Sequence, residues 1–458
     1  MNDIPKRHNS HLTSGRLLAK NTVWNLIGFA TPLLVAVFCI PVLIRDLGKG
    51  SFGVLTLAWA LIGYASLFDL GLGRALTQLV ARKLGAGEER EIPSLVWTSL
   101  LLMLLFGFLG TAVIYAISPW LVHRGLNVPV ELQTETQTSF RWLGLSIPFV
   151  ITTTGLRGLL EAHQRFGLIN ALRVPMGMLT FVGPLFVLPF SKSLVPIVGV
   201  LVAARVVAWG GHLFLCFRVA PELRHSVVWQ RTSVAPLLRF GGWMTVSNVI
   251  GPLMVMVDRF AIGAFSSMTA VAYYVTPFEV VTKLWVVSTA ITGVMFPAFS
   301  LSSGFSTERT SLLYKRAMKF TLAVLAPGAG VLFVGAKWGL TIWLGSSFAA
   351  NSYEAARILT VGAFILGMEA LPFALIQGYG RPDLPAKINL FEFPVYAICL
   401  YWAVGHFGAL GAAIVWTIRA ALDASVLMWL AHRLQRVSRT GELGILASEK
   451  AGSETVCV

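Results

Sequence analysis

The sequence predicts an all-α polytopic membrane protein, with about twelve transmembrane helices in two six-helix bundles. Three observations lead there. Apolar stretches near twenty residues long follow one another along the chain, among them Asn21–Ile44, Val54–Leu72, Pro93–Ile117 and Leu168–Phe190. A helix rises about 1.5 Å per residue, so roughly 20 residues cross a hydrocarbon core of about 30 Å. The composition agrees, at 56% hydrophobic and 12% charged with a mean hydropathy of +0.73. The third observation is where the charge lies. If the N-terminus is cytoplasmic and the spans alternate, loops on the inner side hold 22 of the 36 Lys and Arg, and outer loops hold four. This is the positive-inside asymmetry, and it places both termini in the cytoplasm. The net charge of +15 is then topogenic and suited to anionic headgroups. No basic–aromatic module points to nucleic acid.

The elements follow in order. Residues 1–20 are polar and basic and read as a cytoplasmic tail. The run at 21–44 is too long for the apolar core of a cleaved signal peptide and reads as a retained first helix. Spans at 53–78 and 93–118 come next. The largest external loop, 119–138, carries His123, Arg124, Glu131 and Glu135 but has little room for a fold. Spans 139–160, 168–190 and 194–217 complete a first bundle at 21–217. The longest internal loop, 218–237, carries Pro221, Pro236 and several charges and reads as a linker. Spans 238–262, 271–299, 317–337, 355–378, 386–404 and 408–432 form a second bundle at 238–432, and 433–458 is a second cytoplasmic tail. Trp24, Trp97, Trp120, Trp142, Trp209, Trp338 and Trp343 mostly lie near helix ends, as interfacial anchors do. Prolines 32, 41, 148, 252, 277, 297 and 372 supply kinks.

The halves show a faint repeat. Trp24 matches Trp243 at an offset of 219, Pro32-Leu33 matches Pro252-Leu253 at 220, and Arg205 and Arg419 both fall near the middle of the last helix of their half. Six helices per half keep the two halves in the same orientation, which suits alternating access around a central cavity.

Chemistry other than transport finds no support. Cys39, Cys216 and Cys399 lie in spans and Cys457 in the tail, with no CxxC spacing, so neither a disulfide framework nor a metal site is expected. Gly48-Lys49-Gly50-Ser51 lacks the elements of a phosphate loop, and there is no HExxH. No catalytic residue, cofactor or ATP-binding module emerges. Energy would come from an H+ or Na+ gradient or from substrate flux.

The most specific text is Phe52-Gly53, continuing to Asp69-Leu70-Gly71-Leu72-Gly73-Arg74-Ala75. It resembles the second helix of polysaccharide flippases of the multidrug/oligosaccharidyl-lipid/polysaccharide exporter superfamily. Two further places agree. Val257-Asp258-Arg259 with Ala270-Val271-Ala272-Tyr273-Tyr274 looks like the seventh-helix acid–base pair and the tyrosine motif of the eighth, although Ala272 stands where the family often has Gly. Phe407-Gly408-Ala409-Leu410-Gly411-Ala412-Ala413 looks like the start of the last helix. The resemblance spans the chain. It implies a bacterial inner-membrane protein that moves undecaprenyl-pyrophosphate-linked oligosaccharide to the outer leaflet, for lipopolysaccharide O-antigen, capsule or exopolysaccharide assembly. A polysaccharide polymerase and chain-length machinery are the implied partners. The alternatives are a multidrug/cation antiporter of the same superfamily, with an acid-dominated pocket, and a membrane polysaccharide polymerase or ligase.

Charges within the spans are the candidate site. Each costs about 2.5–3.5 kcal/mol at a helix centre on insertion scales and needs a partner or a wet cavity. Arg173, Arg205, Lys283 and Arg419 are expected to line a cationic cavity, because guanidinium forks bind phosphate oxygens in a bidentate manner. The competing reading is helix–helix pairing, with Glu279 next to Lys283 and Asp423 next to Arg419 at i,i+4. Asp69, Asp258, Glu279, Glu369 and Glu392 are candidates for coupling or gating. Asp69 reads first as a cap or anchor of the Gly71–Gly73 turn at the inner end of its helix, with the gate or coupling role as the alternative. Asp258 and Arg259, being adjacent, point in different directions. Glu354 with Arg357 and Arg157 with Glu161 read as interfacial pairs.

Overall fold

The structure, a computed structural model, describes residues 10–64, 68–125, 128–224, 228–265, 268–303 and 306–440. Residues 1–9 of the first tail, 441–458 of the second, including Cys457 and Lys450, and residues 225–227 of the expected linker lie outside the described residues. Among the described residues every regular element is helical. The helices of the first half are α1 (Gly15–Gly48) and α2 (Gly50–Gly63), then α3 (Leu72–Ala86), α4 (Ile92–Trp120), α5 (Val130–Ala162), α6 (Phe166–Val187) and α7 (Leu194–Val219). Those of the second are α8 (Arg231–Phe265), α9 (Met268–Val281), α10 (Trp285–Ser303), α11 (Thr307–Leu344), α12 (Ser346–Gly378), α13 (383–407) and α14 (409–440). Among the described residues, ten helical segments are long and apolar enough to cross a membrane. Division of the longest at Gly408, and addition of the shorter apolar Gly50–Gly63, brings the number to the twelve expected.

Two spans expected to be continuous are interrupted. The second, 53–78, breaks between α2 and α3, where Leu70 and Gly71 take φ of 48° and 70°. Left-handed backbone cannot continue a right-handed helix. The eighth, 271–299, changes to a short 3-10 turn at Thr282–Leu284 between α9 and α10. The interruptions thus fall in the corresponding second helix of each half. Each break carries one charged residue, Asp69 at the first and Lys283 in the second, but a single charge within a long apolar run does not by itself end a span. Helix also extends into two stretches expected to be loop: α5 begins at Val130 inside 119–138, and α8 begins at Arg231 inside 218–237.

The chain falls into two compact units, Met1–Thr245 and Val246–Val458, with the division inside α8. In the first unit α5 is the central helix, packed against α3, α4 and α7. Its most apolar window is 67% buried, against 22% for α1. In the second unit α12 plays that part, 61% buried and packed against α9, α10, α11 and the α13–α14 run. A core of Phe278, Trp416, Leu359 and Tyr396 forms around it.

Loop contacts gather several connections at one end of the first unit. Asn21 near the start of α1 donates to the backbone carbonyl and side chain of Gln164, both at 3.1 Å. At the start of α4, Trp97 Nε1 donates to the Leu223 carbonyl at 3.1 Å, and Thr98 Oγ1 accepts from the Gln230 N–H at 2.9 Å. The described part of 218–237 therefore docks on the first unit. All these connections belong to the inner-side loops of the alternating scheme.

Candidate functional site

Charge is distributed differently in the two units. The first unit gathers arginines. Its starting point is Asp69, at the break between α2 and α3. Asp69 Oδ1 accepts the Gly71 N–H at 2.7 Å and Oδ2 accepts the Thr154 hydroxyl at 3.0 Å, so one carboxylate closes the turn and ties it to α5. Gly71 is required by more than its φ: a Cβ there would lie 2.6 Å from the Cβ of Met244. Immediately beyond the turn, Arg74 is exposed and lies in Coulombic range of Asp69, Arg157 and Glu161. Arg157 is paired with Glu161 at 3.3 Å. The pair read from the sequence as interfacial is thus part of a larger cluster.

Arg173 joins this cluster from α6, in Coulombic range of Arg157 and Glu161. It donates to Asn25 Oδ1 at 3.4 Å and lies over the Phe29 ring at 4.8 Å. Buried His212 of α7, bonded to the Ala208 carbonyl at 2.7 Å, faces the same two arginines, Arg157 and Arg173. Arg205 stands apart on α7. Its nearest polar contact is the Thr180 hydroxyl at 3.5 Å, and Thr180 lies two helical turns along α6 from Arg173. Its Nε is buried without a protein partner. Three arginines with two acids, plus Arg205, leave this region cationic.

The second unit gathers acids. Asp258 is fully buried and accepts from Tyr274 at 2.6 Å and from Tyr396. Its neighbour Arg259 turns the other way, to Glu279 at 2.7 Å. Arg419, 7% exposed, faces Glu392 at 3.9 Å, contacts Met254 Sδ at 3.5 Å and lies over the Tyr396 ring. The carboxyl groups of Glu369 and Asp423 are within hydrogen-bonding reach of each other, and Arg419 is in Coulombic range of both. Glu369 Oε2, Glu392 Oε2, Asp423 Oδ1 and Arg419 Nε are all buried without a protein hydrogen-bond partner. Four carboxyl groups here, Asp258, Glu369, Glu392 and Asp423, lie in Coulombic range of Arg419, and Arg259 adds a second cation only beside Asp258.

The four cations expected to line one cavity are thus divided. Arg173 and Arg205 belong to the first unit. Arg419 sits among acids in the second, and Lys283 is exposed, held by Glu279 at 3.3 Å. Glu279 is itself half exposed and already carries Arg259 and Lys283. Arg357 does not pair with Glu354. It donates to the Phe333 carbonyl at 3.1 Å and lies over two rings, Phe333 and Tyr353. Sequence reasoning gave Arg74 no role beyond its motif, and read Arg157 and Asp423 only as ion-pair partners. Arg74 was hidden because its partners, Arg157 and Glu161, lie on a helix far along the chain, and spacing within one span does not reveal them. Among the described residues no group of three or more His, Cys, Asp or Glu is arranged to hold a metal ion.

The motif residues also meet. Tyr274 of the tyrosine motif donates to Asp258 of the seventh-helix motif. Gly408 carries the φ of 58° that separates α13 from α14.

This is the fold of a membrane transporter. The chain superposes with a TM-score of 0.78, at 16% identity, on a MOP superfamily transporter from Pyrococcus furiosus, covering 94% of this chain and 99% of that one. A MATE transporter crystallised with MaD3S gives a TM-score of 0.81 over the same shares, also at 16% identity. The family model described as polysaccharide biosynthesis protein matches residues 18–303. A putative O-antigen transporter of Shigella flexneri is 32% identical over 419 residues, covering 91% of this chain and 98% of its own. The lipopolysaccharide biosynthesis protein WzxC of Escherichia coli K12 is 23% identical over 410 residues, covering 85% and 76%. The chain belongs to the polysaccharide biosynthesis protein family, among the polysaccharide flippases of the multidrug/oligosaccharidyl-lipid/polysaccharide exporter superfamily.

Proposed function

We propose that the protein moves undecaprenyl-pyrophosphate-linked oligosaccharide from the inner to the outer leaflet of the bacterial cytoplasmic membrane, with both termini cytoplasmic. The observation that carries this reading is the grouping of Arg74, Arg157 and Arg173 around a broken second helix. Guanidinium groups stay ionised and match phosphate oxygens as a planar fork. Asp69 and Glu161 orient the cluster without cancelling its charge, and Arg205 extends it along the α6–α7 pair. A polymerase and chain-length machinery are the partners that would receive the glycan.

The acids of the second unit support a division of labour, with the anionic head handled by arginines and a coupling cation by carboxylates. Glu369 and Asp423 cannot both ionise cheaply at such close approach, so a proton or a sodium ion between them relieves the repulsion. The acid excess is also what a cation antiporter of the same superfamily would use. The arginines of the first unit favour an anionic cargo over a cationic drug.

The test is a strain lacking this gene, with glycan synthesis intact and no second flippase, probed for lipid-linked oligosaccharide by a reagent confined to the outer leaflet. Complete intermediates should accumulate on the inner face, and the wild-type gene should restore delivery. Arg173→Ala should cut delivery by about tenfold or more, the loss of one charge-assisted bond of about 1.5–3 kcal/mol. Arg173→Lys should fall between. Normal delivery in the deletion strain sinks the reading and directs attention to drug efflux.

A further inference from the structure

A cleft of about 640 Å³ runs along the first unit between α4, α5 and α7. Its size lies within the roughly 300–1,000 Å³ of small-molecule pockets. Its origin is local. Gly107 of α4 lets the backbone of α5 come close, since a Cβ there would lie 2.6 Å from the Cα of Pro148. Around that contact the outer faces of the helices leave a trough. Leu100 and Leu156 are buried at its floor, while Leu101, Leu104, Phe108 and Leu145 are exposed. Phe149 and Trp209 meet edge to face at 5.5 Å and stiffen the α5–α7 side.

Three polar side chains around this trough already spend their donors within the protein. The Thr111 hydroxyl donates to the Gly107 and Gly144 carbonyls at 3.0 and 2.7 Å. Thr152 donates to the Pro148 carbonyl at 2.6 Å, and Trp97 Nε1 donates to Leu223. Neither these hydroxyls nor the indole has a donor left for water or a headgroup. The trough thus presents an almost wholly apolar lining, suited to hydrocarbon.

Two features decide which hydrocarbon. Leu156 lines the trough and Arg157, the next residue of α5, belongs to the cationic cluster. One helix thus presents a hydrocarbon seat and an anion-binding side chain less than a third of a turn apart, which is charge complementarity for an anionic head on a long chain. The walls also set the rigid rings of Trp97, Phe108, Phe149 and Trp209 among leucines. Seating a chain there costs rotamer entropy, and the cost per carbon is smaller for a polyprenyl chain, whose regularly spaced double bonds do not rotate, than for a saturated acyl chain. We infer that this cleft seats part of the polyprenyl tail of the cargo while the head is carried by the arginines. The inference rests on the function proposed above.

The full-length protein in nanodiscs is illuminated with a benzophenone-bearing polyprenyl diphosphate of undecaprenyl length, and separately with a phosphatidylglycerol tagged on its acyl chain. The polyprenyl probe should label Leu101, Leu104 or Leu145. Excess untagged undecaprenyl-length diphosphate should reduce that labelling about tenfold, whereas phosphatidylglycerol should leave it nearly unchanged. Equal labelling by both probes with mutual competition, or labelling elsewhere, overturns the assignment and makes the cleft an annular lipid site. Leu104→Trp and Leu145→Trp, which fill the trough, should slow delivery of full-length cargo about tenfold. Both should leave an analogue with a short citronellyl tail at the wild-type rate. Loss of both cargoes, or of neither, also overturns it. If wild-type protein moves neither cargo yet is labelled in the trough, the flippase reading fails while the tail site stands.

Discussion

Asp69 shows how one side chain serves two demands. Its carboxylate satisfies the Gly71 N–H at the turn and holds Thr154 on the neighbouring helix. Asp69→Ala removes both acceptors and leaves a buried N–H unpaired, a cost of about 1–3 kcal/mol. The expected outcome is a lower melting temperature of the purified protein, read by intrinsic fluorescence. Asp69→Asn keeps an oxygen for Gly71 and should melt near wild type. If Asp69→Asn melts normally but no longer transports, the charge itself is used, through Arg74 and Arg157, and Asp69 is a gating or coupling group as well as a cap. Retained transport confines it to the turn. Arg419 presents the opposite case, a cation that sequence spacing paired with Asp423 but that faces Glu392 within a group of acids.

At the scale of the element, the broken second helix is the feature that arranges the site. Continuous helix through 64–78 would place Arg74 by the 3.6-residue repeat. The turn at Leu70–Gly71 re-aims α3 and sets Arg74 against α5. Gly71→Ala combines a disfavoured left-handed φ, worth about 1–2 kcal/mol, with a clash against Met244 and the Gly241 carbonyl. It should lower the melting temperature and the yield of folded protein. Gly53→Ala, in an open helical position, should be neutral or slightly stabilising. Equal behaviour of the two variants would show that the turn is not held by this packing.

At the scale of the whole molecule, the charge clusters of the two units differ in kind, arginines predominating in one and carboxylates in the other. In proteoliposomes, cargo movement driven by an imposed gradient separates cargo binding from coupling. Glu369→Gln should remove the response to a pH gradient while leaving binding of the pyrophosphate head within about twofold, since the substitution leaves the arginine cluster untouched. A wild-type protein that responds to sodium and not to pH would assign the site to Na+. An unaltered pH response in Glu369→Gln would exclude Glu369 from coupling.

What the chain determines by itself is its class and its spans. Apolar length and basic loops are properties of consecutive residues, and the bilayer reads them one helix at a time, so twelve crossings were legible along with the resemblance carried by Asp69–Ala75, Asp258 and Gly408. Tertiary structure alone decided which charges meet. Arg74 with Arg157 and Arg173, and Glu369 with Asp423 and Arg419, are brought together by helices far apart in sequence. The breaks were only partly legible: Asp69 and the Gly71–Gly73 turn marked the first, while Lys283 alone, one charge in a long apolar run, did not reveal the turn at Thr282–Leu284. A single helix fixes only the angular spacing of its own side chains, and the partner that neutralises or reinforces a buried charge lies on another helix.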